Sequence, residues 1–446
     1  MSLRKVLVLL LATAAAIINV GPASANPPQR IVLTSFTSNG ELPDIPLDTD
    51  AKEVARLMAG RAAVGSSDDP ASTALPHTSP SSTEKQKAET ELPTYSSSAK
   101  QTETTVRGVV DFEACRKNPA GGVDLQGIVI NHFDYCRYGY LVFSLREEPS
   151  GRNLGTLKYR ETHVGHGSNG SREALISAEL DDFSMTGIWS DTSRLKVFMG
   201  TNATQGQAAC KAEGATNPIE HSVAEWKENG FIGWSIVSNE ALGEVDDKKV
   251  NCTWQLHHQT LGFANGTWSS WIARPVKDIR FDSATYLPKK AGAIFSGVTP
   301  YLTYSRSDAR VKGVAEHIYT AFTNPNSTLP ARTDNGTKTI PGNVTAIPPS
   351  LISRLYPGAN PIAQQAYDDN RAVVSRACAS IPHNPGEECD EFPFASTWEG
   401  AARGDQNFSV RYVDGTENGT AGSDLSNWYG SDRILHNDKF GVKILP

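Results

Sequence analysis

After its first twenty residues the chain has no apolar run approaching the roughly 20 residues that a membrane-spanning helix requires. Basic charge is also scarce. Lys and Arg number 42 against 49 Asp and Glu, for a formal net charge of −7, so bulk electrostatics do not mark a binder of the basic-patch kind. No Gly-rich phosphate loop precedes a helix and no G-x-S-x-G elbow occurs, which leaves nucleotide binding and α/β-hydrolase chemistry unsupported. No two cysteines have C-x-x-C spacing and no histidine pair forms H-E-x-x-H, so a zinc site or a dithiol redox centre has no sequence support either.

What is present begins with an export signal. Arg4 and Lys5, an apolar run from Val6 to Val20, and Gly21-Pro22-Ala23-Ser24-Ala25 are an n-region, an h-region and a cleavage site in order, so residues 1–25 read as a signal peptide. Export places the six cysteines in an oxidising compartment. They allow 15 pairings, and proximity favours Cys115 with Cys136, Cys210 with Cys252 and Cys378 with Cys389.

Composition divides the remainder. Residues 26–105 are rich in Ser, Thr, Pro and Ala and read as a disordered linker or pro-segment with one short helical exception, Ala51 to Leu57. Residues 106–298 carry short apolar runs such as Leu195-Lys196-Val197-Phe198-Met199 and Phe231-Ile232-Gly233-Trp234-Ser235-Ile236-Val237, bounded by turn formers. That pattern predicts an all-β accessory domain, a sandwich or barrel. In it, Trp254, Trp268 and Trp271 read as core residues before a sugar- or wall-binding platform, and His163, His166, His257 and His258 as structural or exposed. Residues 299–446 predict a small α+β domain. Val311, Val314, Ala315, Ile318 and Phe322 repeat at helical spacing behind Ser307 or Asp308 as a cap, and Ala363 to Ala379 reads as a second helix.

Chemistry concentrates in Cys389-Asp390-Glu391-Phe392-Pro393-Phe394-Ala395, in Glu399-Gly400, and in Glu417-Asn418-Gly419-Thr420-Ala421-Gly422-Ser423. Carboxylates and an amide oxygen suit a hard cation, and phosphodiester hydrolysis needs a base, such a cation and stabilisation of the leaving alkoxide. Neighbours on a strand point to opposite faces, so Asp390 and Glu391 share a site only if a turn or bulge intervenes. His383, seven residues before Asp390, reads as a surface loop residue.

These segments resemble the NucA/NucB-type secreted bacterial deoxyribonucleases, a family related to the ββα-metal nucleases. Asp390 through Ala395 looks like the family's D-E-aromatic-P-x-A signature, and Glu399-Gly400, Asn418 and Ala421-Gly422-Ser423 follow in its order. Ser307-Asp308, Ala315-Glu316-His317-Ile318 and the helix around Arg371 to Arg376 add weaker likeness. The resemblance implies a ββα-metal-like core that hydrolyses DNA phosphodiesters with Mg2+ or Mn2+ and little sequence preference. It implies Asp390 as general base, Glu391 and Glu399 as the rest of the acidic site, and Asn418 with Glu399 as metal ligands. Trp398, Ala401 and Gly419 depart from the family pattern, Gly419 where an Arg can follow the Asn. DNA is then the substrate, with an inhibitor protein or a cell-wall ligand as further partners. The competing readings are a non-catalytic surface or wall-binding protein and a secreted nuclease toxin.

If the export signal is read correctly, N-terminal sequencing of the protein recovered outside the cell begins at Asn26. Recovery with Met1 still attached contradicts the cleavage site.

Overall fold

The computed structural model describes residues 29–37, 111–118, 121–122, 126–148, 150, 152–215, 217–261, 269, 272–273 and 276–446. The signal peptide, the Ala51 to Leu57 turn, most of the expected linker, Trp268 and Trp271 lie outside them.

The β region holds β1 (Gln29–Thr37), α1 (Phe112–Lys117), β2 (Ile128–Asn131), β3 (Asp134–Glu148), β4 (Arg152–His166), β5 (Ser168–Asn169) and β6 (Glu173–Met185). It continues with β7 (Arg194–Ala203), β8 (Cys210–Gly214), β9 (Ile219–Ser222), α2 (Val223–Glu228) and β10 (Phe231–Ser238). Its last strands are β11 (Val250–Thr260), β12 (Ile272–Ala273), β13 (Ile279–Ser283) and β14 (Ala291–Phe295). Two seven-stranded sheets form, one in the order β1-β3-β4-β6-β10-β8 with β2 on β3, the other β5-β14-β13-β11-β7-β9 with β12 on β11. One core lies between them: Tyr135 of the first sheet stacks on Phe295 and meets Trp254 of the second edge-on, with centroids 5.4 Å apart in both cases. The architecture is therefore two packed sheets, with Trp254 wholly buried as a core residue.

One expectation needs correction. Gln29–Thr37, assigned by composition to the linker, pairs antiparallel with β3 over nine residues. The run Ile31-Val32-Leu33 is β-forming, and its signal is lost when composition is averaged over residues 26–105. All three cysteine pairs favoured by proximity are disulfides: Cys115–Cys136, Cys210–Cys252 and Cys378–Cys389.

A second core gathers residues from Leu302 to Val442. Its elements are β15 (Tyr301–Ser305), α3 (Lys312–Thr323), β16 (Ile352–Ser353), α4 (Pro361–Cys378), β17 (Glu387–Phe392), β18 (Ser409–Asp414), α5 (Gly415–Ser431) and β19 (Lys439–Leu445). β19 is central to a small mixed sheet, parallel to β15 and antiparallel to β16, while β17 and β18 form a separate antiparallel hairpin. α3 begins four residues later than its expected cap at Asp308, because the Asp308 carboxylate accepts from Arg310 instead and Val311 provides no side-chain cap. α4 matches its expectation closely, opening with an Asn360 side chain that accepts from the Ala363 amide.

The two cores are joined by buried charge. Arg433 is fully buried and ion-paired with Asp282 of β13, and it also donates to Asn169 at 2.8 Å and to the Lys289 carbonyl at 2.7 Å. Gly292 leaves the room this needs, since a Cβ there would run into the guanidinium. Arg280 adds an ion pair to Asp438 at 2.6 Å, and the Tyr286 ring stacks on Tyr356 with centroids 4.0 Å apart.

Removal of one partner from a buried pair leaves a desolvated charge, at a cost of about 3–5 kcal/mol. Asp282→Ala or Arg433→Ala in the full chain is expected to lose stability on that scale in chemical denaturation. A double variant, Asp282→Leu with Arg433→Met, is expected to be closer to wild type than either single change. A near-zero effect of both single changes would show that the junction contributes little.

Candidate functional site

The hairpin of β17 and β18 is packed on both faces, and alternation decides what each residue meets. Cross-strand pairs place Glu388 opposite Val413, Asp390 opposite Arg411 and Phe392 opposite Ser409 on one face. That face meets α3 and α5, since Phe392 and Val413 lie in the core with Val314, Ile318 and Ala421. Cys389, Glu391, Val410 and Tyr412 point the other way, where Cys389, Val410 and Tyr412 pack with Val374 and Cys378 of α4. Strand pairing continues unbroken to Phe392, so no bulge turns Asp390 and Glu391 to a common face.

On the first face, Asp390 is nearly buried and its carboxylate accepts from His317 Nδ1 at 2.6 Å. His317 Nε2 lies 2.7 Å from the Ser409 hydroxyl. A carboxylate only accepts, so the imidazole carries its proton on Nδ1 and the Ser409 O–H donates to Nε2 when the ring is neutral. Both ring nitrogens are thereby satisfied, and one Asp390 oxygen is fixed. Tyr304 closes the back of this group by donating to the Ala421 carbonyl at 2.7 Å. Burial, reinforced by the nearby Asp390 charge, pushes its phenol far above the usual range.

Asn418 lies in the first turn of α5. The helix is capped by Asp414, which accepts from the Thr416 and Glu417 amides at 2.9 and 3.1 Å, rather than by Asn418. Asn418 donates to Glu388 at 3.1 Å, on the Asp390 face of β17. Glu417 reaches across to accept from the Gly313 amide, supplying from α5 the negative cap that α3 lacks. A Cβ at Gly313 would crowd that carboxylate at 2.8 Å.

Glu391 and Glu399 are placed elsewhere. Glu391 accepts from the Ala395 amide at 3.2 Å, and burial, then the Asp390 charge, push its carboxyl up to about 7. Glu399 accepts from the Ser353 amide at 2.7 Å and its hydroxyl at 3.2 Å, tying the loop after β17 to β16. Buried Asn370 of α4 holds the same loop, donating to the Ala395 and Thr397 carbonyls and accepting from the Ala402 amide. Gly400 packs so closely on Asn370 that a Cβ would collide with its amide, which gives the Glu-Gly of the motif a structural reason. Among the described residues, no three His, Cys, Asp or Glu side chains converge as a group that could hold a metal ion.

The rival histidines have other partners. His383 is exposed and stacks on Tyr412 at 4.2 Å. His163 and His258 flank buried Glu161 with Arg137 inside the β core, where burial pulls His163 down to about 4.

Residues 358–443 match the family model Deoxyribonuclease NucA/NucB. The C-terminal region is thus a deoxyribonuclease domain of the NucA/NucB family, and it makes the chain a deoxyribonuclease acting on DNA. No curated protein and no solved structure matches the chain. The matched residues contain Asp390, Glu391, Glu399 and Asn418, but His317 lies upstream of them. Two partners of the site were not singled out from sequence, His317 and Glu388, although each carried a signal. His317 lies three residues after Val314 on the apolar stripe of α3, where a buried polar ring requires partners. Glu388 lies two residues before Asp390, and period-two alternation puts it on the same face.

The raised carboxyl of Glu391 has a defined pH signature. Its folded value of about 7 exceeds the ordinary 4.5, so its favourable contribution is complete below about 4.5 and is lost as pH rises through 7. Glu391→Gln is therefore expected to gain stability relative to wild type as the pH of thermal melts rises from 4.5 to 8. A difference that stays constant with pH contradicts the buried setting of this carboxyl.

Proposed function

We propose that the protein is an exported, divalent-cation-dependent endonuclease that hydrolyses DNA phosphodiesters with little sequence preference, with Asp390 as its general base. The observation that carries this reading is the Asp390 carboxylate, fixed through one oxygen by His317, on the hairpin face where Asn418 and Glu388 also project. Within a matched deoxyribonuclease domain, this hairpin followed directly by α5 has the strand-strand-helix order expected of a ββα-metal-like core.

Asp390 removes a proton from the attacking water as its oxygen bonds to phosphorus and the ester oxygen departs. His317 is a positioning residue: it orients the carboxylate, while Ser409 holds the ring from behind. The donor chemistry beside Asp390 fits a hard cation. Asn418 offers an amide oxygen with no hydrogen bond among the described residues, and Glu388 offers a carboxylate, a set that suits magnesium or manganese completed by water. When bound, such a cation neutralises charge on the phosphate and on the departing oxygen. Glu388 here takes the ligand position expected of Glu399, whose carboxylate is engaged by Ser353. Glu391, on the opposite face, supports the hairpin and the turn at Ala395. The three disulfides, and the lack among the described residues of a helix long and apolar enough to cross a membrane, are compatible with export.

The full chain is expected to nick supercoiled plasmid with magnesium or manganese present and to stop when EDTA is added. Asp390→Asn is expected to reduce nicking by at least a hundredfold, a loss within the range of about 10² to 10⁴ for a general base. Wild-type nicking by Asp390→Asn would remove the basis for this assignment, and nicking that persists in EDTA would remove the cation.

A further inference from the structure

The active face carries more negative than positive charge. Glu388, Asp390 and Glu417 crowd the hairpin and the start of α5, and residues 370–446 hold eleven Asp or Glu against seven Lys or Arg. A phosphodiester approaching these carboxylates is repelled unless fixed positive charge meets it, and Gly419 supplies none at the position after Asn418.

The register of the hairpin places one guanidinium there. Arg411 is directly opposite Asp390 across the β17–β18 ladder, so the two side chains leave the same face with Cβ atoms about 5 Å apart. An acid and a base in that relation ordinarily pair. Here they do not, because Asp390 turns inward to His317 while Arg411 stays exposed. Arg411 forms no hydrogen bond or ion pair with any described residue. Two basic residues near the start of α3 are ion-paired, Arg310 at 2.6 Å from Asp308 and 3.8 Å from Asp424 and Arg306 at 3.7 Å from Glu316, while Lys312 is exposed but is not paired with Asp390 across the hairpin ladder as Arg411 is. Of the exposed basic residues flanking the hairpin, Arg371 and Arg376 belong to α4 on its other face.

We propose that Arg411 is the phosphate-binding residue of the site, its guanidinium forking onto non-bridging oxygens of the scissile phosphodiester beside Asp390. The planar fork matches two phosphate oxygens at once, and the contact carries no base information. This assignment rests on the nuclease reading of the same hairpin. Because Arg411 faces solvent, its replacement leaves the buried chain of Asp390, His317 and Ser409 in place.

The test is binding of a fluorescein-labelled 20-base-pair duplex to the full chain in EDTA, read by anisotropy across a salt series. Loss of one phosphate contact is expected to weaken Arg411→Ala by about tenfold and to lower the slope of log K against log salt by about one. Arg411→Lys should restore the slope but only part of the affinity, and Arg376→Ala should behave as wild type. Equal affinities and slopes for Arg411→Ala and wild type, equal losses for Arg411→Ala and Arg376→Ala, or no duplex binding by wild type at low salt would each overturn the proposal. Nicking by Asp390→Asn is read separately. Activity retained there removes the hydrolytic reading, whereas activity lost there with unchanged binding by Arg411→Ala removes only the role of Arg411.

Discussion

A single buried hydrogen-bond chain organises the C-terminal domain, running from Ser409 through His317 to Asp390. It joins β18, α3 and β17 across the centre of the domain, so the hairpin cannot slide against the helix without leaving a polar ring unsatisfied. The chain also resolves a conflict within the fold. A carboxylate buried in an apolar core is costly, and an exposed one is free to rotate. Asp390 is held between the two states, with one oxygen bonded inward and about a tenth of its side chain open to solvent. Around that point Glu417 substitutes for the missing cap of α3, and Asn418 lies against Glu388, so the start of α5 is fixed to both neighbours.

The β region touches the C-terminal domain directly. The strand that completes the nuclease sheet follows the segment 432–438, and that segment is gripped by β-region residues. His132 contacts the Asp432 carbonyl at 2.6 Å, Arg433 inserts against Asp282, and Tyr286 accepts from the His436 amide at 2.9 Å. Arg354, lying over the rings of Tyr286, Tyr356 and Tyr429, carries the contact into the centre of the domain.

Much of this was legible in the sequence where local physics decides the outcome. Short β-branched runs became two sheets, the stripe from Val311 to Phe322 became α3, and cysteines close in sequence were joined. The motif around Asp390 pointed to the matched deoxyribonuclease domain. What stayed hidden depends on tertiary placement. Adjacent acids drew attention to Glu391, whereas alternation gave the shared face to Glu388. The cap of α3 comes from Glu417, 104 residues away from Gly313, which no local pattern reveals. His317 read as one letter in a weak similarity, because its partners Asp390 and Ser409 are 73 and 92 residues distant in the chain. Composition averaged over a long segment concealed β1, whose nine residues are flanked by a long Ser-, Thr- and Pro-rich stretch and whose partner β3 lies more than 100 residues further along the chain.

The account stands or falls on His317 acting through Asp390. The most direct measurement is the plasmid-nicking rate of full-length His317→Gln at saturating DNA, with the folded fraction matched to wild type. Loss of an orienting partner predicts a fall of about ten- to a hundredfold in kcat with KM for DNA little changed. A His317→Gln protein that turns over at the wild-type rate would contradict it.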